Sequence, residues 1–129
     1  MCFSGQYTEK EVYKKIVGGG GFNAYCGTND MRDVEKMADE GDAHAIEVRD
    51  AFILQMAKDI GSMACVLSGK IDQIIVTGGI AYDKAVVAGL KERCEWMAPF
   101  TVYPGEDELL ALTQGALRVL NGEEAAKEY

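Results

Sequence analysis

Three short segments bring together residue types that do chemistry. The first is Val76-Thr77-Gly78-Gly79-Ile80-Ala81, where a β-branched run over residues 71–77 ends in two glycines and leads toward a helix beginning near Tyr82 or Asp83. Glycine lacks a Cβ and lets the backbone approach a ligand closely, and ligands of open α/β sheets sit beyond the carboxyl ends of strands. Taken alone, a Gly-Gly pair after a strand is more often a tight turn, and it fits neither G-x-G-x-x-G nor the P-loop pattern. The second segment, Gly27-Thr28-Asn29-Asp30-Met31-Arg32, sets small polar residues before a helix N-terminus. Such residues cap helices, and they also hold hydroxyls or phosphates of a ligand. The third is Glu106-Asp107-Glu108, three carboxylates in the first turn of the last helix. Hard oxygen ligands suit Mg²⁺, while a helix dipole stabilises acids there whatever the function. His44, the only histidine, lies between alanines with no nucleophile near it in sequence and reads as a plain surface residue rather than a general base.

The elements that must position these segments follow from periodicity and caps. Thr8 and Glu11 have capping-box spacing and predict a helix over roughly 9–17. Four glycines at 18–21 make a turn, and the apolar residues from Phe22 to Cys26 predict a short buried strand or extended segment. Val34, Met37 and Ala38 predict a helix over 31–40, ended by Gly41. Residues 42–67 contain no proline and repeat apolar residues every three or four positions, which predicts a long, largely buried helix. Glu47, Arg49, Asp50, Lys58 and Asp59 argue against a membrane span. A strand to Thr77, a helix carrying Val86, Val87 and Leu90, a strand over 100–103 and a last helix ending at Asn121-Gly122 complete the order. A β-α-β crossover of this kind makes the two strands parallel. The fold class is α/β, with a small, mostly parallel sheet and several helices in one domain over 1–129. Strands as apolar as residues 74–76 are ordinarily covered on both faces, so part of the sheet is expected elsewhere.

Composition narrows the function classes. At 129 residues with 48% hydrophobic and 26% charged residues, the chain has the make-up of a water-soluble domain, short for a complete enzyme with a two-lobed cleft. A net charge of -8 provides no field for a nucleic-acid backbone, so nucleic acid is not expected as a partner. One nucleotide, held by backbone N–H groups and a few cations, is compatible with that charge. Four scattered cysteines with no C-x-x-C pair suggest neither a zinc site nor a disulfide framework. No basic, then apolar, leader follows Met1, which points to a cytoplasmic location.

Together, Cys2-Phe3-Ser4-Gly5 with the run Tyr7-Thr8-Glu9-Lys10-Glu11, Tyr25-Cys26-Gly27-Thr28-Asn29-Asp30, Val76 to Tyr82, and Val102-Tyr103-Pro104-Gly105-Glu106-Asp107-Glu108 resemble the butyrate kinases. These share with acetate kinases the two-lobed actin-like ATPase fold of sugar kinases, with ATP in the cleft, and the resemblance covers the C-terminal part of such a protein. It implies that Gly78, Gly79 and Ile80 form the adenosine motif, with Asp83 where acetate kinases carry an asparagine. It further implies that Asp30, Met31 and Arg32 form the loop against adenine and ribose, and that Asp107 and Glu108 help position Mg²⁺, with Glu106 adjacent. The implied reaction is reversible γ-phosphoryl transfer between ATP and a small carboxylic acid, giving an acyl phosphate and ADP. No catalytic residue can be assigned, because the resemblance puts the catalytic arginines, the phosphate-binding turn and the acid pocket in sequence that precedes these residues. It leaves two rival readings: a non-catalytic nucleotide-binding or interaction module, and a kinase of acetate or branched-chain acids. A sheet this small and an apolar helix this long also lead to the expectation of a homo-oligomer or of packing against an N-terminal part.

Overall fold

The computed structural model describes residues 1–128. In chain order the elements are α1 (Glu9–Ile16), α2 (Phe22–Cys26), α3 (Met31–Asp39), α4 (Ala43–Val66), β1 (Ile74–Gly78), a 3-10 turn (Gly79–Tyr82), α5 (Lys84–Cys94), β2 (Phe100–Pro104) and α6 (Glu108–Leu120). β1 and β2 pair in parallel, from Ile74 opposite Phe100 to Gly78 opposite Pro104, as the crossover predicts. The pairing continues past the strands: Gly78 and Gly105 exchange backbone hydrogen bonds of 3.2 Å in both directions. That last rung fastens the Gly78-Gly79 turn to the loop carrying Glu106, so both loops leave the sheet at its carboxyl end.

Local sequence fixes the helix starts. Thr8 and Glu11 form the reciprocal capping box of α1, Asp30 caps α3 through Arg32 N–H, and Asp42 caps α4 through His44 and Ala45 N–H. Asp83 caps α5 by accepting from Ala85 and Val86 N–H at 3.0 and 2.9 Å. Each such cap gives a partner to N–H groups that the first helical turn leaves unbonded.

The main core lies where α4 crosses α5 beneath the sheet. Ile53, Val86 and Leu90 are its buried centre, and Phe52, Met56, Ile60 and Phe100 close around them. Gly89 sits at this crossing because a Cβ there would stand 3.0 Å from Ile53 Cγ2. Two smaller clusters flank it, Val34, Ala38 and Ala45 between α3 and α4, and Ile74, Cys94 and Ala98 under β1. Burial pushes the Cys94 thiol up from its ordinary pKa. All four cysteines are free.

Two expectations are corrected. Residues Phe22–Cys26 form a helical turn rather than a strand, with Tyr25 N–H bonded to Gly21 O and Gly27 N–H to Asn23 O. Gly21 at φ 56° and Gly27 at φ 73° supply the left-handed ends that let so short a helix start and stop, and no strand among the described residues lies alongside to pair with it. Phe22 instead stacks obliquely on Phe52, ring centroids 4.9 Å apart. Second, α4 is not largely buried: only Ala45 and Ile53 are, and Met63, Val66 and Leu67 face solvent. At 1.5 Å per residue a helix of 24 residues is roughly 36 Å long, more than α3 and α5 can cover. Leu109, Leu112, Leu117 and Leu120 of α6 are exposed as well, and α6 buries no residue among those described. β1 is likewise covered on one face only, with Ile74 and Val76 buried and Ile75 exposed.

Candidate functional site

The N-terminal end of α3 and the glycine turn after β1 form the two walls of an open groove of about 1300 Å³. Asp30, Met31 and Arg32 line one side, and Gly79, Ile80 and Asp83 the other. Residues far apart in sequence thus meet in one concavity, because α4 passes behind both walls and packs against α3 and α5. Met31 and Ile80, one from each wall, pack against the Ile53, Val86 and Leu90 core, so the floor of the groove is the roof of the hydrophobic core. Gly78 lies just outside the lining and holds the turn at φ 85°, a conformation that suits glycine.

Each wall residue has defined partners. The Asp30 carboxylate accepts from Arg32 N–H at 3.0 Å and from Arg32 Nε at 2.9 Å. The guanidinium beside it holds the Asp30 carboxyl down to about 2, so the pair persists in acid until that range. Arg32 is otherwise exposed, and with Nε and Nη2 engaged by Asp30 its Nη1 and flat face remain open. A Cβ on Gly79 would meet only Glu106 Oε1, at 3.6 Å, so the fold has room for a side chain there.

Of the three acids, Glu106 is the one brought to the glycine turn, where its Oε1 accepts from Gly79 N–H at 3.3 Å. Asp107 stands at the N-cap position of α6 with no side-chain cap bond, and Glu108 opens the helix; neither lines the groove. No group of three or more His, Cys, Asp or Glu residues converges on a metal position among the described residues. Mg²⁺ that takes most of its shell from nucleotide phosphates and water needs only one or two carboxylates, and the oxygen-only donors of this loop fit that demand. His44 Nε2 lies 3.2 Å from the Tyr25 carbonyl, on the surface and outside the groove.

Sequence reasoning missed Glu35, Lys36, Tyr82 and Lys84, which also line the groove. Lys36 follows Arg32 by one helical turn, a spacing that puts both on one face of α3 and was the available signal. Glu35 carried no signal, since its role depends on Arg49, reached at 3.3 Å from α4. Burial, and after it the Asp83 carboxylate, pushes Glu35 above the usual carboxylate range, with Arg49 opposing. A raised folded value means that the stability linked to Glu35 is fully present below the ordinary carboxylate range and is lost as pH rises through its folded value.

A parallel β-α-β unit with a ligand-sized groove at the carboxyl end of its strands defines an α/β fold, here a partial lobe of the actin-like ATPase type. The chain belongs to the acetokinase family, which it matches over residues 4–125. It is 60% identical to a protein of Clostridium botulinum (strain Alaska E43 / Type E3) named probable butyrate kinase, and 56% identical to butyrate kinase 2 of Clostridium acetobutylicum, over all 129 residues in both cases. The chain spans about 36% of the length of these curated relatives. No helix among the described residues is long and apolar enough to cross a membrane.

Proposed function

We propose that this chain, acting as one domain over residues 1–129, forms the adenosine side of the nucleotide site of a butyrate kinase, an enzyme that transfers the ATP γ-phosphoryl group reversibly to butyrate. The observation that carries the reading is the groove in which Asp30, Met31 and Arg32 face Gly79, Ile80 and Asp83. A nucleoside fits its chemistry: apolar Met31 and Ile80 against the base, polar groups at the rim, and a glycine turn whose lack of side chains lets the backbone come close to the adenosine. Lys36, Lys84 and Arg32 supply cations along a path for polyphosphate in an otherwise acidic chain. Asp107 and Glu108 are assigned to Mg²⁺, with Glu106 nearest the turn; the ion would neutralise charge on the transferring phosphoryl group.

The test uses the intact protein with ATP and butyrate, acetate or isobutyrate, following ADP release and trapping acyl phosphate as hydroxamate. Butyrate is expected to give the highest kcat/KM. A preference for acetate or the branched acid reassigns the substrate. Nucleotide binding without transfer to any of the three supports the non-catalytic module instead.

The apolar faces of α4 and α6 belong to the same proposal, as surfaces covered by a second copy or by an N-terminal part of the protein. Contiguous apolar patches beyond a few hundred Å² are rare on monomers. The chain by itself is expected to self-associate in sedimentation across a dilution series, and a clean monomer at high micromolar concentration would contradict this.

A further inference from the structure

Glu35 lines the groove from the middle of α3, yet nothing in the binding of a nucleotide described above requires it. Its Oε2 accepts from Arg49 Nη1 at 3.3 Å, while its Oε1 is buried without any hydrogen-bond partner. A buried carboxylate oxygen left in that state is costly and calls for a donor. Asp83 lines the same groove from the opposite wall, and its like charge adds to burial in raising the Glu35 carboxyl. Asp83 already commits Oδ1 to the N–H groups of Ala85 and Val86. One proton between the two carboxyl groups satisfies Glu35 and removes the repulsion at once.

We propose that Glu35 is a positioning residue of the groove, which in its protonated form donates a hydrogen bond to Asp83 and so holds α3 against the glycine turn. The bond would join the two walls directly, one turn along α3 from Asp30, Met31 and Arg32. The charged surroundings are consistent with a single proton. Arg49 is the cation that reaches the pair from α4, and Asp50 shares it at 3.2 Å. Arg32, Lys36 and Asp39 line the same groove from α3, and Lys84 lines it from the start of α5. Burial raises the Glu35 carboxyl in the direction that retains the proton. When the proton leaves, two carboxylates with part of one guanidinium face each other, the walls are pushed apart, and negative charge is added beside the nucleotide. Affinity for nucleotide therefore falls as pH rises through the Glu35 titration.

The effect on affinity rests on the nucleotide reading, whereas the carboxyl pair does not, and two readouts on the intact protein separate them. Carboxyl-carbon NMR of glutamate-labelled protein, with the Glu35 signal assigned by its loss in Glu35→Gln, is expected to show Glu35 titrating above the other glutamates. Calorimetric titration with ADP is expected to give a Kd that weakens roughly three- to tenfold across that titration, equivalent to about half to one pKa unit of linkage. Glu35→Gln donates permanently through its amide while its carbonyl still accepts from Arg49, so its Kd should lack this component. The ratio of mutant to wild-type Kd cancels the titration of ADP itself. Asp83→Asn, which supplies the donor from the other wall and can still cap α5, should remove the same component. Glu35 titrating with the other glutamates, or a Glu35→Gln protein with the wild-type pH profile, overturns the proposal. A high Glu35 titration in a protein that binds no ADP at any pH supports the carboxyl pair and removes the nucleotide reading.

Discussion

Gly79→Val is expected to raise KM for ATP at least roughly tenfold in the intact protein while leaving KM for the carboxylic acid within about twofold. Within the chain a Cβ at position 79 finds only the flexible Glu106 carboxylate, at ordinary contact distance, so the folded protein accommodates a side chain. The cost of a branched residue there falls on whatever approaches the turn from the groove. Circular dichroism and melting temperature close to wild type, together with weakened ATP, would separate ligand exclusion from misfolding. ATP kinetics that do not change would reduce Gly79 to a residue of a tight turn.

Leu90→Ala is expected to lower stability by about 2–5 kcal/mol, because Leu90 is fully buried between α4, α5 and the sheet. Its consequence reaches the site. Met31 and Ile80 rest on the same cluster, so a cavity under them lets the groove floor sag, and nucleotide affinity should fall even where the protein remains folded. Val119→Ala, on the exposed face of α6, is the control, expected to change stability by less than about 1 kcal/mol in a form where that face is uncovered. Urea unfolding of both variants, with ADP titrations below the transition, measures the two effects separately.

What was legible in the sequence was local. The capping box at Thr8 and Glu11 and the small polar residues up to Asp30 mark helix starts through bonds within three residues, and the crossover from β1 through α5 to β2 follows from chain order, whereas the caps by Asp42 and Asp83 came only with the structure. The segment from Phe22 to Cys26 failed because a five-residue apolar run has no period to read, and the glycines at its ends serve a strand or a helical turn equally well. The extent of burial failed for a different reason. An apolar stripe shows which face of α4 or α6 wants cover, and says nothing of whether these residues contain the partner that covers it. At the site, the glycine turn and the Asp30 loop were each ambiguous alone, and only the resemblance joined them. The groove puts them together physically, and it adds Glu35, whose significance comes from Arg49 and Asp83 on two other elements.

Hydrogen–deuterium exchange of the intact protein with and without saturating ADP decides whether the α3 start and the glycine turn close on one nucleotide, as proposed. Backbone amides in both segments, residues 30–36 and 78–86, are expected to exchange more slowly together when ADP is present, with α1 and α6 unchanged. Protection in only one of the two segments, or in neither at a concentration where ADP is bound, would contradict it.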